Sequence, residues 1–243
     1  MEHWEELKPG GLRIVYDDAC FSPGTDSFLL SSLPRLKAGL RVCDLGCGSG
    51  LLGLLLLQRR PDLLVTGVEL QEAPAALARK AAVENGIDDR FRVVQTDLRQ
   101  VKEHFPTGSF DLVICNPPYY TPDSGAVSTD AALRTARAET NCTLEDVCKA
   151  AAYLLRWGGS FCMVHKPERL TDVLCALRGA AMEPKRLRFV CKQGSDAPSL
   201  LLVEGRRGGK PGLQVEAPLL LQHPDGTPTA EVDAIYFRQE EIL

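Results

Sequence analysis

The sequence predicts an α/β protein on a Rossmann-like, doubly wound sheet of about seven strands whose last pair is antiparallel. Three observations carry this. From Leu40 to Phe161, β-branched apolar runs alternate with helix-like stretches. The first run ends in a glycine-rich turn, and two late runs follow one another with no helix between them. Strands separated by helices pair in parallel through right-handed crossovers, whereas consecutive strands pair antiparallel.

The elements follow in order. Val42-Cys43-Asp44-Leu45 is the first strand, and Gly46-Cys47-Gly48-Ser49-Gly50 turns the chain into a helix over Leu51 to Arg60. Leu63 to Leu70 is the second strand. Ala73 to Asn85 is an Ala-rich helix stopped by Gly86. Phe91 to Gln95 is the third strand, Asp97 to His104 a short helix, and Phe110 to Cys115 the fourth strand. Thr143 to Trp157 reads as a helix closed by Gly158-Gly159, with Ser160 to Val164 as the fifth strand. Arg186 to Cys191 and Leu200 to Gly205 are the antiparallel pair. Beyond Lys210 lie an apolar run (Val215 to Leu221) and a short Ala234-Ile235-Tyr236-Phe237. No repeat or low-complexity linker divides the chain, so we expect an N-terminal extension (1–39), one catalytic-type domain (40–210) and a C-terminal extension (211–243) packing on it.

Composition narrows the classes. Hydrophobic content of 44% and charged content of 25% suit a soluble enzyme. The longest apolar run, Leu51 to Leu57, is far short of a membrane span. Met1-Glu2-His3-Trp4-Glu5-Glu6 is acidic with no apolar signal core, so a cytoplasmic location is expected. The nine cysteines include no C-x-x-C pair and mostly sit in apolar segments, which points to reduced core thiols and no metal. A net charge of −4 argues against a strong non-specific nucleic-acid binder. One basic stretch runs from Lys185 to Lys210; it is either a solvated face or a phosphate-contacting patch.

The residues richest in chemistry follow the fourth strand: Asn116-Pro117-Pro118-Tyr119. Two prolines fix φ and carry no N–H, so their carbonyls stay available as acceptors. An amide, a proline carbonyl and an aromatic face together suit a flat group bearing an –NH2, such as the edge of adenine. Upstream, Asp44 precedes glycines at 46, 48 and 50. Such glycines let backbone approach a ligand, but the acid would repel a pyrophosphate and suits an ammonium or sulfonium. Glu69 ends the second strand at the place of a ribose-binding acid. Asp97 ends the third, either as an acceptor from a ligand's exocyclic amine or as a helix N-cap.

These residues resemble the class I S-adenosylmethionine-dependent methyltransferases. The resemblance implies S-adenosyl-L-methionine as cofactor and S-adenosyl-L-homocysteine as product. It makes Asp44, Gly46, Gly48, Gly50, Glu69, Asp97 and Asn116 cofactor-binding, and Asn116, Pro117, Pro118 and Tyr119 catalytic. A closer resemblance spans nearly the whole chain. Gly24-Thr25-Asp26-Ser27-Phe28-Leu29-Leu30, Tyr119-Tyr120, Ala136-Arg137-Ala138-Glu139 and Cys142-Thr143-Leu144-Glu145-Asp146-Val147 are similar to the bacterial tRNA1(Val) adenine-37 N6-methyltransferase family. The family would put histidine at Ala138. It implies tRNA as substrate, with Thr25 and Asp26 over the cofactor's methionine end unless they only cap a helix. Tyr120, Arg134, Arg137, Arg206, Arg207 and Lys210 are then candidate RNA contacts. The oligomer, monomer or homodimer, is left open. Two alternatives stand beside this reading: a glutamine N5-methyltransferase of peptide-release factors, and a catalytically silent cofactor- and RNA-binding module.

Overall fold

A computed structural model describes residues 1–17, 24–117 and 142–238. The chain opens with an antiparallel hairpin of β1 (Glu2–Glu6) and β2 (Arg13–Asp17), followed by α1 (Thr25–Ser31). The main sheet takes β3 (Arg41–Leu45), β4 (Leu64–Glu69), β5 (Phe91–Gln95), β6 (Phe110–Cys115), β7 (Leu155–His165), β8 (Met182–Cys191) and β9 (Leu200–Arg207). Their spatial order is β8-β9-β7-β6-β3-β4-β5, with β9 antiparallel to both neighbours and the other pairs parallel. This is a methyltransferase-type α/β sheet with its antiparallel strands near the end, as the sequence predicts. Two short strands extend it. β10 (Gln214–Val215) and β11 (Leu219–Leu220) both pair in parallel with β8, making nine strands where about seven are expected.

Helices cover both faces. α2 (Leu51–Arg59), α3 (Glu72–Glu84), α1 and the short α6 (Ala230–Ile235) lie on one side; α4 (Leu144–Leu154) and α5 (Leu170–Gly179) lie on the other. The strands divide their side chains accordingly. Leu112, Ile114, Cys162 and Val164 enter the first core, and Val113, Cys115, Phe161 and Met163 the second, which is the period of two expected of strands buried on both faces. α2 is buried along its length from Leu51 to Leu57 because the hairpin and the C-terminal segment cover its outer side. Leu7, Ile14 and Val15 from one end of the chain and Val232 and Ile235 from the other join that core. Asn85 pins the hairpin, accepting from the Arg13 N–H (2.8 Å) and donating to its carbonyl (2.7 Å).

Three expectations change. The helix at 143 ends at Leu154, and β7 begins at Leu155, so Gly158-Gly159 is no helix stop. Instead it takes up a register shift between β6 and β7, with Gly158 at φ +78. The segment after Asp97 is a 3₁₀ helix (Leu98–Glu103). The hairpin and α5 were not foreseen. Of the described cysteines, Cys43, Cys47, Cys115, Cys148, Cys162 and Cys191 are buried, as small hydrophobes should be, whereas Cys175 is exposed. No described helix is long and apolar enough to cross a membrane.

Gly50 shows how tightly the glycine turn is built. It caps α2 at φ +88, and a Cβ there would lie 2.8 Å from the Phe91 ring. Gly50→Ala is therefore expected to destabilise the fold by about 2–3 kcal/mol, from left-handed strain and overpacking together. Urea unfolding would measure this.

Candidate active site

Register places the site. Asp44 pairs with Ile114 across β3 and β6, and Leu45 with Val68 across β3 and β4. Asn116, Gly46 and Glu69 therefore emerge level with one another from three neighbouring strands, spanning about 10 Å at the carboxyl edge of the sheet. Asp97 follows two residues after Gln95, the partner of Glu69. This edge is where such sheets bind ligands.

The glycine loop is held open. Gly46 and Cys47 both donate to the Val68 carbonyl, at 2.8 and 3.0 Å. Glu69 accepts from the Gly48 N–H and from the Gln71 N–H, each at 2.9 Å. Gly46 (φ +72) and Gly48 (φ +54) have left-handed backbone, and a Cβ on either would meet nothing within 4 Å. Both therefore face open space, as a cradle for a ligand requires, while Gly50 serves packing.

The acids differ. Asp44 is 1% exposed and accepts from the Gly53 N–H at 3.1 Å. Burial pushes its carboxyl from the usual 3.8 to about 7; the Gly53 bond opposes this and the Glu69 charge adds to it. Because the folded value is raised, stability is highest below the unfolded value near 4 and is lost as pH rises toward 7. Cofactor-free protein should thus lose up to about 1.4 kcal/mol per pH unit across that window relative to Asp44→Asn, read by denaturant unfolding at each pH. Asp97 caps the 3₁₀ helix through the Arg99 N–H (2.8 Å), and the Arg99 side chain also grips it (2.5 Å), holding its carboxyl below the usual range. It is an N-cap in this structure; its oxygens still offer further lone pairs to a ligand amine. Burial holds the Cys47 and Cys115 thiols well above their ordinary range, so neither is a thiolate nucleophile.

α1 reaches the same place. The buried Ser27 hydroxyl accepts from the Asn116 Nδ2 at 3.1 Å, which fixes the plane of the amide. Sequence reasoning missed Ser27, although it sits inside the motif that begins at Gly24. Gly24 is the N-cap and makes no side-chain cap bond, so Thr25 and Asp26 lie inside the helix instead of capping it. Pro117 is buried beside Asn116. Pro118, Tyr119, Tyr120, Arg134, Arg137 and Ala138 lie outside the described residues. Arg206, Arg207 and Lys210 are not brought to this edge. Arg206 pairs with Ser160 while Cys115 pairs with Met163, so Arg206 sits about 13 Å further down the sheet. Arg207 donates to the Leu155 carbonyl, and the Lys210 carbonyl accepts from Lys185 (3.1 Å). Arg186 and Arg188 of the same basic stretch are held by Glu204 and Glu231.

Residues 12–176 match the methyltransferase small domain. The chain belongs to that methyltransferase family. A tRNA1(Val) (adenine(37)-N6)-methyltransferase of Dickeya chrysanthemi is 30% identical over 86% of this chain and 84% of its own length. One of the same description from Yersinia pseudotuberculosis is 34% identical over 65% of this chain; that match spans 64% of the relative, just under two thirds. Among solved structures, an Agrobacterium tumefaciens protein described as a predicted O-methyltransferase superposes with a TM-score of 0.73 at 23% identity, covering 88% of this chain and 96% of that one. TrmN from Thermus thermophilus gives a TM-score of 0.52 at 21% identity, over 74% and 48% of the two chains. These two show the fold. For this methyltransferase the methyl donor is S-adenosyl-L-methionine, and the open glycine loop with Glu69 at the next strand's end fits it.

Proposed function

We propose that this methyltransferase methylates the N6 amine of an adenine in tRNA, and that the adenine is position 37 in the anticodon loop of tRNA1(Val), as in the name of its Dickeya relative. The observation that carries the reading is the Asn116-Pro117 turn, set level with the glycine loop and locked by Ser27. S-adenosyl-L-methionine supplies a methyl group already activated on a sulfonium. Glu69 and Asp97 would accept hydrogen bonds from its ribose and adenine, beside the open backbone of the glycine loop.

The exocyclic amine of the target adenine is a weak nucleophile, because its lone pair is delocalised into the ring. The Asn116 side-chain oxygen and the Pro117 carbonyl accept its two N–H bonds. That favours a pyramidal nitrogen whose lone pair points at the methyl group. By the resemblance, Tyr119 would add an aromatic face for the base, a positioning effect of about several kcal/mol. The proton leaves from a nitrogen made acidic by methylation, so no strong general base is needed. An adenine in a loop is unpaired and costs less to splay out than one in a duplex.

The acceptor class is tested by offering labelled S-adenosyl-L-methionine to unmodified tRNA and, separately, to a peptide-release factor. Label in tRNA alone is expected. Label in the protein alone replaces the reading with glutamine methylation.

A further inference from the structure

A cavity of about 370 Å³ opens at the same edge of the sheet, on the far side of β6 from the cofactor loop. α1 serves both places: Ser27 holds Asn116, while Asp26 and Leu29 line the cavity. Ser27 and Asp26 are neighbours, about 1.5 Å apart along the helix, so the cavity lies within one nucleotide's reach of the amine site. Its lining also includes Lys166 just after β7, the polar side chains of Ser199 and Gln222, and Val232, Tyr236 and Arg238 in and after α6. None of these has a part in the chemistry derived above.

The lining has a definite character. Leu29 and Val232 give apolar walls. Tyr236 stacks on Phe28 with centroids 4.6 Å apart and planes 8° from parallel, and the exposed Arg238 guanidinium lies 4.9 Å from the Tyr236 centroid. An apolar slot with a flat cation at its mouth and a lysine beside it matches a nucleobase with its phosphate. Unpaired bases are bound by stacking on aromatic rings and guanidinium planes, with cations along the backbone.

We infer that this cavity receives the nucleotide adjacent to the methylated adenine, its base in the apolar slot and its phosphate at Lys166 and Arg238. The inference rests on the tRNA reading. The cofactor is a poor occupant, since Gly46, Glu69 and Asp97 lie at the carboxyl ends of β3, β4 and β5, on the other side of β6.

The test uses synthetic anticodon stem-loops: one intact, one abasic at the 5′ neighbour of the target and one abasic at the 3′ neighbour. With the wild type, losing one neighbouring base should raise KM about tenfold. Val232→Trp, which fills the cavity, should raise KM for the intact loop by a like factor and erase the difference between intact and abasic loops. Arg238→Ala, a milder change at an exposed position, should raise KM and flatten its dependence on salt. Cofactor affinity, measured by calorimetry, should be the same in all three proteins. Transfer to every loop with equal KM overturns the inference alone, as does a variant that weakens cofactor binding and leaves KM for RNA unchanged. No transfer to the intact loop overturns the tRNA reading and this inference with it.

Discussion

Asn116→Ala is expected to lower kcat for methyl transfer to tRNA by about 10²–10³-fold. As the nitrogen attacks it gains positive charge, and its two N–H bonds become stronger donors. The Asn116 oxygen therefore binds the transition state more tightly than the ground state, and its loss falls on kcat more than on KM for RNA. Pro117 offers its carbonyl whatever its side chain, so Asn116 is the acceptor that substitution can remove. Asn116→Asp keeps an acceptor in place but loses the N–H given to Ser27, and should retain part of the activity. Thermal unfolding measured alongside would separate a lost acceptor from a lost fold.

Glu204→Ala should cost about 2–3 kcal/mol of stability, because it takes the nearer of two carboxylates from a largely buried guanidinium. Arg186 and Glu204 are 13% and 8% exposed at the side chain and meet at 2.5 Å across β8 and β9. Burial works against the Arg186 charge, but Glu204 and Glu216 outweigh it and hold the group firmly protonated. The Ser160 hydroxyl donates to Glu204 at 2.7 Å, and Arg186 reaches on to Glu216 at 3.3 Å and to the Leu33 carbonyl. That last bond ties the outer strands to the segment just after α1, the helix that positions Asn116. Replacing both charges, as Arg186→Met with Glu204→Leu, should recover most of the loss. Urea unfolding of the single and double variants would show whether it does.

The sheet and the place of the Asn116 turn at its carboxyl edge were legible because their signals are local. Strand and helix alternate in sequence as they do in space, and Asp44, the glycines, Glu69 and Asn116 each mark the end of a strand. Where the basic stretch would lie was not legible, for a directional reason. Lys185, Arg206, Arg207 and Lys210 do gather, but β9 runs antiparallel and gathers them at the edge of the sheet opposite the candidate site. Gly158-Gly159 resembles a helix stop because glycine also serves a register shift between strands. The N-terminal hairpin was hidden by its polarity: Glu2-His3-Trp4-Glu5-Glu6 buries little, and its partner strand β2 supplies the core residues Ile14 and Val15. Ser27 and the cavity beside it are tertiary. They join α1, β7 and α6 from residues up to about 200 positions apart, and no window of the sequence holds them together.

Nucleoside analysis decides the reading of Asn116 and its neighbours. tRNA lacking the modification is incubated with labelled S-adenosyl-L-methionine, digested and resolved into nucleosides, with wild type and Asn116→Ala run in parallel. The account predicts label in N6-methyladenosine at position 37 of tRNA1(Val) with the wild type, and nearly none with the variant. Label in a different nucleoside, label in no nucleoside, or N6-methyladenosine formed as fast by Asn116→Ala contradicts it.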